Sequence, residues 1–158
     1  MGPIAQAEGP SVVSGLRIRA SLLAEVIAHA RADHPDEACG VIAGPAAQDS
    51  PERVIPMLNA ARSPTFYEFE SGELIRLHRA LTAADERAVV IYHSHTATEA
   101  APSPTDIAYA GDPAAHYLIV STRDCHNGPG PVEVRSFRIV EGHVTEEPVH
   151  VLADPQPS

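Results

Sequence analysis

Hydrophobic and polar positions along the chain predict strands and helices mixed around one sheet. Continuous apolar runs, typical of buried strands, cover residues 38–44, 87–95 and 116–122. Further strands, several with alternating apolar and polar residues, are predicted at 16–20, 52–58, 65–70, 132–140 and 144–152. Apolar residues at helical spacing predict helices over residues 21–32 and 71–85. Together these elements indicate an α/β domain with a mixed β-sheet flanked by helices, antiparallel towards its C-terminal end.

Cap and breaker residues set the expected ends of the helices. Ser21 or a neighbour is expected to cap the first helix, which His34-Pro35 ends. Ser71 is expected to cap the second helix. Ser103 opens a third, short helix, and Pro104 suits its first turn because an N–H there would have no intrahelical partner.

The length of 158 residues suits one domain with a substantial core. We predict a flexible leader over residues 1–15, a single domain over 16–153 and a tail over 154–158. A hairpin loop rich in Gly and Pro is expected at 125–131, and Glu141-Gly142 is expected to turn the chain between the last two strands.

The composition restricts the cellular compartment and the classes of partner that we expect. Lys plus Arg total 11 against 21 Asp plus Glu, a net charge of −10, which argues against a nucleic-acid partner. No apolar run approaches the roughly 20 residues that span a bilayer, and no signal peptide is recognised, so no membrane partner is expected. Cys39 and Cys125 are far apart in the sequence and are expected to be free thiols in a reducing, cytoplasmic compartment.

One stretch carries the candidate chemistry: HSHTATEAAPSPTD, residues 93–106. His93 and His95 are two apart at the end of a predicted strand, so both side chains leave the same face. Asp106 lies in the first turn of the next predicted helix, and the connecting loop can bring it back to the histidines. Two imidazoles and a carboxylate are typical of a zinc site that leaves a fourth position for water. Water activated by a metal can attack a carbonyl, so the pattern predicts a hydrolase with one zinc ion per chain.

Each residue of this pattern also has a purely structural explanation. Ser103 could serve only as an N-cap, with Asp106 favoured by the helix dipole, and the two histidines could be a solvated strand end. The combined pattern is harder to explain by chance. With 9 His, 11 Ser and 8 Asp in the chain, about 0.002 matches are expected at random. The metal site is therefore the favoured interpretation.

A hydrolytic site also needs a group that carries protons. Glu37, just before the predicted strand 38–44, is the candidate, because a carboxylate can take a proton from water and pass it to a leaving amine. From spacing alone Glu37 could equally be a solvated loop residue, and Asp36 is an equally available neighbour.

A Glu followed by His-x-His-x₇-Ser-x-x-Asp resembles the motif of the JAMM (MPN+) zinc metalloproteases, which have a cytidine-deaminase-like fold and include deubiquitinases. All five positions of the motif are present. The resemblance implies zinc binding by His93, His95 and Asp106. It also implies that Glu37 is the catalytic general acid/base and that Ser103 supports the oxyanion.

Longer segments, among them DEACGVIAG, SPTFYEFES and HYLIVSTRD, resemble a bacterial branch that releases cysteine from the C-terminus of a ubiquitin-like sulfur-carrier protein. The implied partner is a β-grasp carrier with a C-terminal Gly-Gly tail. Phe66, Tyr67 and Phe69 could line a groove that binds this tail by strand addition, or could be core residues.

Several alternatives to this function are open from the sequence. Trimming of a carrier tail before sulfur loading and a non-catalytic MPN-type scaffold both fit the same fold. A zinc nucleoside deaminase would need H-x-E and paired cysteines, which this chain does not have. A homodimeric assembly is also compatible with the sequence.

Overall fold

The computed structural model describes residues 14–124 and 132–156, so Cys125, the predicted loop 125–131 and most of the predicted leader lie outside the described residues. The described elements are, in chain order, β1 (Leu16–Arg19), α1 (Ala20–Asp33), β2 (Cys39–Pro45), β3 (Arg53–Met57), α2 (Ser71–Ala83), β4 (Glu86–His95), α3 (Pro104–Tyr109), β5 (His116–Ser121), β6 (Glu133–Val140), β7 (His143–Glu147) and β8 (Val149–Leu152). The predicted α/β class with a mixed sheet is confirmed. Within the described residues, no helix combines the length and the apolar character needed to cross a membrane.

The central strand of the main sheet is β4. Six strands pair in the order β3-β2-β4-β5-β6-β7, with β4 and β5 parallel and the other described pairs antiparallel. Cys39 of β2 lies opposite His93, and Ser121 of β5 lies opposite His95. The C-terminal end of β4 is therefore enclosed by the start of β2 and the end of β5.

The helices cover both faces of this sheet. Val26 of α1 packs with Tyr92 on one face, and Leu77 of α2 packs with Val41 on the other. The apolar side of α3 joins a third cluster on the α2 face. Successive residues of a strand point to opposite faces, so His93 faces α2 and α3 while its neighbour Tyr92 faces α1.

The predicted strand over residues 65–70 is wrong. In the described structure this segment makes one isolated bridge, between Asn59 and Phe69. The backbone groups of this segment bind the Asn59 side chain instead. Asn59 Nδ2 donates to the Phe66 carbonyl at 3.0 Å, and Asn59 Oδ1 accepts from the Glu68 N–H at 3.1 Å. A local side-chain bond of this kind competes with a sheet ladder.

The predicted strand over residues 144–152 is divided in two at Pro148. β7 pairs with β6 across the predicted turn, where Glu141 and Gly142 both have positive φ, 50° and 81°. β8 leaves the main sheet and pairs in parallel with β1, and the Leu16 N–H donates to the Pro148 carbonyl at 2.9 Å. Proline has no N–H to continue the β7 ladder, which explains the division.

The helix caps differ from the sequence prediction at two of three places. The Ser21 side chain does not cap α1; its backbone N–H donates to Asp154 Oδ1 at 3.1 Å, so the C-terminal segment supplies the capping group. At α2 the N-cap is Glu70 rather than Ser71, and its carboxylate accepts two backbone N–H groups of the first turn. Ser103 caps α3 as predicted.

Candidate active site

Three of the predicted site residues converge at the end of β4. His93 Nε2 and His95 Nε2 are 3.2 Å apart, and Asp106 Oδ2 lies 3.1 Å from the first and 3.0 Å from the second. His93 and His95 are buried, and Asp106 is half-buried. Among the described residues these three form the group whose ligand atoms could share one metal ion.

The arrangement fits a zinc ion. Zinc held by nitrogen and oxygen at about 2.0–2.1 Å in a tetrahedral site requires ligand atoms roughly 3.3 Å from one another. The three separations here are 3.0, 3.1 and 3.2 Å. Two imidazoles and one carboxylate are also the donor types that zinc accepts in sites with one open position.

Neighbouring groups orient the two imidazoles differently. His95 Nδ1 lies 2.8 Å from the Glu99 carbonyl, which fixes the proton on Nδ1 and leaves the Nε2 lone pair towards the site. His93 Nδ1 is buried and has no hydrogen-bond partner among the described residues. The His93 ring instead stacks on Tyr67, with ring centroids 4.4 Å apart and an interplanar angle of 22°.

Asp106 is positioned by the capping box of α3. The Asp106 N–H donates to Ser103 Oγ at 3.1 Å, and Asp106 Oδ2 accepts from the Ser103 N–H at 2.9 Å. Pro104 occupies the first turn as predicted. The cap and the candidate metal ligand are thus one unit, because the same carboxylate oxygen closes the box and points at the histidines.

Glu37 is brought to the site by strand pairing. Next to the Cys39–His93 pair, the Ser94 N–H donates to the Ala38 carbonyl at 3.0 Å, and the Ala38 N–H donates to Ser94 Oγ at 2.8 Å. Continuation of this antiparallel register by one residue places Glu37, which precedes β2, opposite His95 of β4. Glu37 is only 4% exposed.

The burial of these groups changes their protonation. Burial raises the pKa of Glu37 to about 8, although the charge of His95 lowers it, and that of Asp106 raises it further. Burial also lowers the pKa of His93. Burial alone would raise the pKa of Asp106, but its close contacts with the two histidines and the hydrogen bond from the Ser103 N–H hold it well below its usual range. An ionised carboxylate and a neutral imidazole are the forms that bind a metal.

Comparison with known proteins identifies the family. The model of the prokaryotic homologs of the JAB domain matches residues 19–140. The chain belongs to this family. A CysO-cysteine peptidase of Mycobacterium tuberculosis is 62% identical over 137 residues, which are 87% of this chain and 91% of the relative. A desampylase of Haloferax volcanii is 36% identical over 117 residues, covering 68% of this chain and 81% of the relative.

A solved structure shares the fold of this chain. The solution structure of a Desulfitobacterium hafniense protein has a TM-score of 0.74 and 30% identity, covering 87% of this chain and 93% of that protein. The family match and the two relatives confirm the resemblance to the JAMM/MPN proteins, first drawn from the five motif positions.

In this JAB-family chain a groove of about 780 Å³ runs between α2 and α3, with Asp106 in its wall. Phe66, Tyr67 and Phe69 all line it. Phe66 makes an edge contact with Tyr109, at 6.1 Å between ring centroids, while Tyr67 and Phe69 pack against the cluster under α2. Tyr67 and Phe69 are therefore both groove lining and core packing, whereas Phe66 lines the groove without joining a core cluster.

Sequence reasoning missed the residues that support the site. Tyr67 was predicted to line the groove or to pack in the core, but its stacking on the His93 ring was not predicted. Ser94 holds the segment that carries Glu37, and the Asn59 side chain donates to the Glu37 carbonyl at 3.0 Å. Ser94 lies between two candidate ligands, which was a usable signal, whereas nothing in the sequence around Asn59 pointed to Glu37.

Proposed function

We propose that this chain is a zinc-dependent peptidase that hydrolyses the C-terminal amide of a ubiquitin-like sulfur-carrier protein, releasing cysteine from a carrier–cysteine adduct. The observation that carries the proposal is the convergence of His93 Nε2, His95 Nε2 and Asp106 Oδ2, within 3.2 Å of one another, near the buried Glu37. Membership of the JAB family and the 62% identity to a CysO-cysteine peptidase support the substrate class.

His93, His95 and Asp106 would hold the zinc ion, one per chain. When bound, zinc supplies Lewis acidity, which lowers the pKa of water and polarises a carbonyl. The protein contributes the orientation of the ligands: the Glu99 carbonyl fixes the His95 ring, and the Ser103 N–H holds Asp106 Oδ2.

Glu37 would carry the proton from water to the leaving amine. A general acid/base is most effective when its pKa lies near the working pH, and burial raises the pKa of Glu37 to about 8. Its backbone is fixed on both sides, since the Glu37 N–H donates to the Ser63 carbonyl at 2.8 Å and its carbonyl accepts from Asn59. A buried carboxyl group on a fixed backbone, close enough to feel the charges of His95 and Asp106, suits this role.

Ser103 would donate a hydrogen bond to the oxyanion that forms on the scissile carbonyl. A hydroxyl has one hydrogen to donate and two lone pairs to accept. In the described structure Ser103 Oγ accepts from the Asp106 N–H. The capping bond uses a lone pair, so the hydroxyl hydrogen stays available, and the capping and catalytic roles are compatible.

The carrier's C-terminal tail would bind in the groove lined by Phe66, Tyr67 and Phe69. This groove reaches Asp106, so an extended tail within it would end at the ligand group. The Gly-Gly ending of the tail, a cytoplasmic location, the absence of nucleic-acid and membrane partners and a homodimeric assembly remain predictions.

Mass analysis of a carrier ending in Gly-Gly-Cys tests the proposal. The zinc-loaded protein should release free cysteine and leave the carrier one residue shorter. Glu37→Gln should keep zinc but lose most turnover, and His95→Ala should lose zinc. His143→Ala serves as control, because His143 is exposed.

An intact adduct after incubation with zinc-loaded protein would refute the proposal. A carrier cut elsewhere would indicate tail trimming, and a purified protein that binds no zinc would indicate a scaffold.

Removal of a carrier from protein conjugates is a second candidate function, favoured by the 36% identity to a desampylase. The same assay distinguishes the two when a carrier linked to a lysine side chain is offered beside the cysteine adduct. We expect the cysteine adduct to be the better substrate, because the peptidase relative shares 62% identity over a larger part of the chain.

A further inference from the structure

A second cavity opens beside Glu37, separate from the groove. Its volume is about 320 Å³, and its wall includes Glu37, Asn59 and Arg62. It shares no lining residue with the groove that contains Asp106. The candidate ligands reach the groove through Asp106, whereas none of the three lines this cavity, which adjoins the site through Glu37.

The turn after β3 builds this cavity around Glu37. The Arg62 N–H donates to the Asn59 carbonyl at 3.1 Å, which closes the turn. The next residue, Ser63, accepts the Glu37 N–H through its carbonyl at 2.8 Å. Arg62 is therefore held one residue from a direct backbone bond to the proposed proton carrier.

Arg62 has two unusual features. Its φ is 46°, in the left-handed region that residues other than glycine seldom adopt, and such conformations cluster at functional sites. Its guanidinium is exposed and forms no ion pair with the described residues. Of the acidic residues in the wall, Asp33 is already engaged by His29 at 3.2 Å, which leaves Asp36 and Glu37.

We propose that this cavity receives the amino acid that is released, and that Arg62 binds its terminal carboxylate. The inference rests on the proposed function. In the hydrolysis the amide C–N bond breaks, the carbonyl carbon gains the water oxygen, and a proton passes through Glu37 to the amine nitrogen. The departing residue must therefore lie on the Glu37 side, and the carrier's acyl half on the groove side.

The charges of the cavity match a free amino acid. A released cysteine is a zwitterion, with an ammonium group that Asp36 attracts and a carboxylate that Arg62 attracts. Ala32 and Leu58 supply apolar contact for a short side chain. Because Arg62 would pair with a terminal carboxylate, the cavity selects a substrate with one residue beyond the cleaved bond.

Two matched substrates test the role of Arg62: a carrier ending in Gly-Gly-Cys with its free carboxylate, and the same carrier with a cysteine carboxamide. We expect kcat/KM of the wild type to be about tenfold higher for the acid, the size of one charge-assisted hydrogen bond. Arg62→Gln should lower kcat/KM for the acid to the value for the amide and leave the amide unchanged. Arg62→Lys should keep part of the preference.

Arg17→Gln is the control for loss of one positive charge, because Arg17 is exposed on β1 and lines neither cavity. The inhibition constant of free cysteine is a second measurement of carboxylate binding. Arg62→Gln should weaken this inhibition by a factor similar to its effect on kcat/KM for the acid. A wild type that cleaves both substrates equally, or an Arg62→Gln variant that keeps the preference for the acid, would overturn the inference while the proposed function stands. A wild type that cleaves neither substrate would overturn both.

Discussion

The phenol ring of Tyr67 stacks face to face on the imidazole of His93, with ring centroids 4.4 Å apart. Metal-binding histidines usually fix their ring by donating the second N–H to a carboxylate or carbonyl. His93 has no such partner among the described residues, since its Nδ1 is buried without a hydrogen bond. The aromatic contact therefore takes the orienting role that a hydrogen-bond acceptor has at His95.

Replacement of Tyr67 should consequently weaken zinc binding. We expect Tyr67→Leu to lower the zinc affinity about tenfold, the lower end of the effect of groups that orient a ligand, and Tyr67→Phe to retain it because the ring is kept. Competition with a chromogenic chelator measures this without reference to activity. Phe66→Leu is the matched control, because Phe66 lines the same groove and contacts Tyr109 rather than His93. Equal zinc affinities for the wild type and the three variants would contradict the prediction.

Local sequence patterns predicted the elements that build the ligand group, but not the pairings between them. The apolar run before His93 and the cap at Ser103 are local signals, and both were confirmed. The position of Glu37 depends on the pairing of Cys39 with His93, 54 positions further along the chain, which no local pattern specifies. The resemblance to a known motif supplied that assignment instead.

The failed predictions also have long-range or side-chain causes. Residues 65–70 alternate as a strand would, but the side chain of Asn59 binds their backbone groups. The segment around Pro148 contains two strands, and the second pairs with β1, more than a hundred residues earlier in the chain. Alternation describes which residues face the core, and it does not identify the hydrogen-bond partner.

Two substitutions at Ser103 separate capping from catalysis. Both Ser103→Ala and Ser103→Gly remove the hydroxyl, but replacement of an N-cap serine by alanine costs about 1 kcal/mol, and by glycine only a few tenths. If the hydroxyl stabilises the oxyanion, both variants should lose about 10²-fold to 10³-fold in kcat. Urea unfolding and steady-state kinetics on each variant provide the comparison. Wild-type kcat in Ser103→Gly would mean that Ser103 serves only as a cap.

The burial of Glu37 predicts a pH-dependent stability after zinc is removed by chelation. The pKa of Glu37 is raised from 4.5 to about 8 by burial, so between these values the folded chain keeps a proton that the unfolded chain has lost. Stability is then full below pH 4.5 and decreases as the pH rises towards 8. The neutral amide of Glu37→Gln avoids this loss, so the variant should gain stability relative to the wild type, by a few kcal/mol at most.

Urea unfolding at pH 5 and pH 8 with chelator present measures the difference between the two proteins. Glu68→Gln is the control, because Glu68 is exposed in the same region of the chain. If the free energy of unfolding changes with pH by the same amount in the wild type and in Glu37→Gln, Glu37 is not the group responsible.

A buried histidine at the other end of β5 should matter for stability and not for the metal. His116 is fully buried, with Nδ1 at 2.6 Å from Glu147 Oε2 and Nε2 at 2.7 Å from Asp49 Oδ1. It pairs with Val90 in the β4–β5 register, five residues before the pair formed by His95. His116→Leu would leave Glu147 without its closest partner, and a buried group that loses its hydrogen-bond partner costs about 1–3 kcal/mol.

We therefore expect His116→Leu to lower the free energy of unfolding by about 2 kcal/mol and to leave the zinc affinity of the folded protein unchanged. Urea unfolding and chelator competition on the same preparations measure the two quantities. His143→Leu is a suitable control, because His143 is exposed on the edge strand β7. A His116→Leu variant that is as stable as the wild type, or one that stays folded but binds zinc more weakly, would contradict the separation of this hydrogen-bonded cluster from the candidate active site.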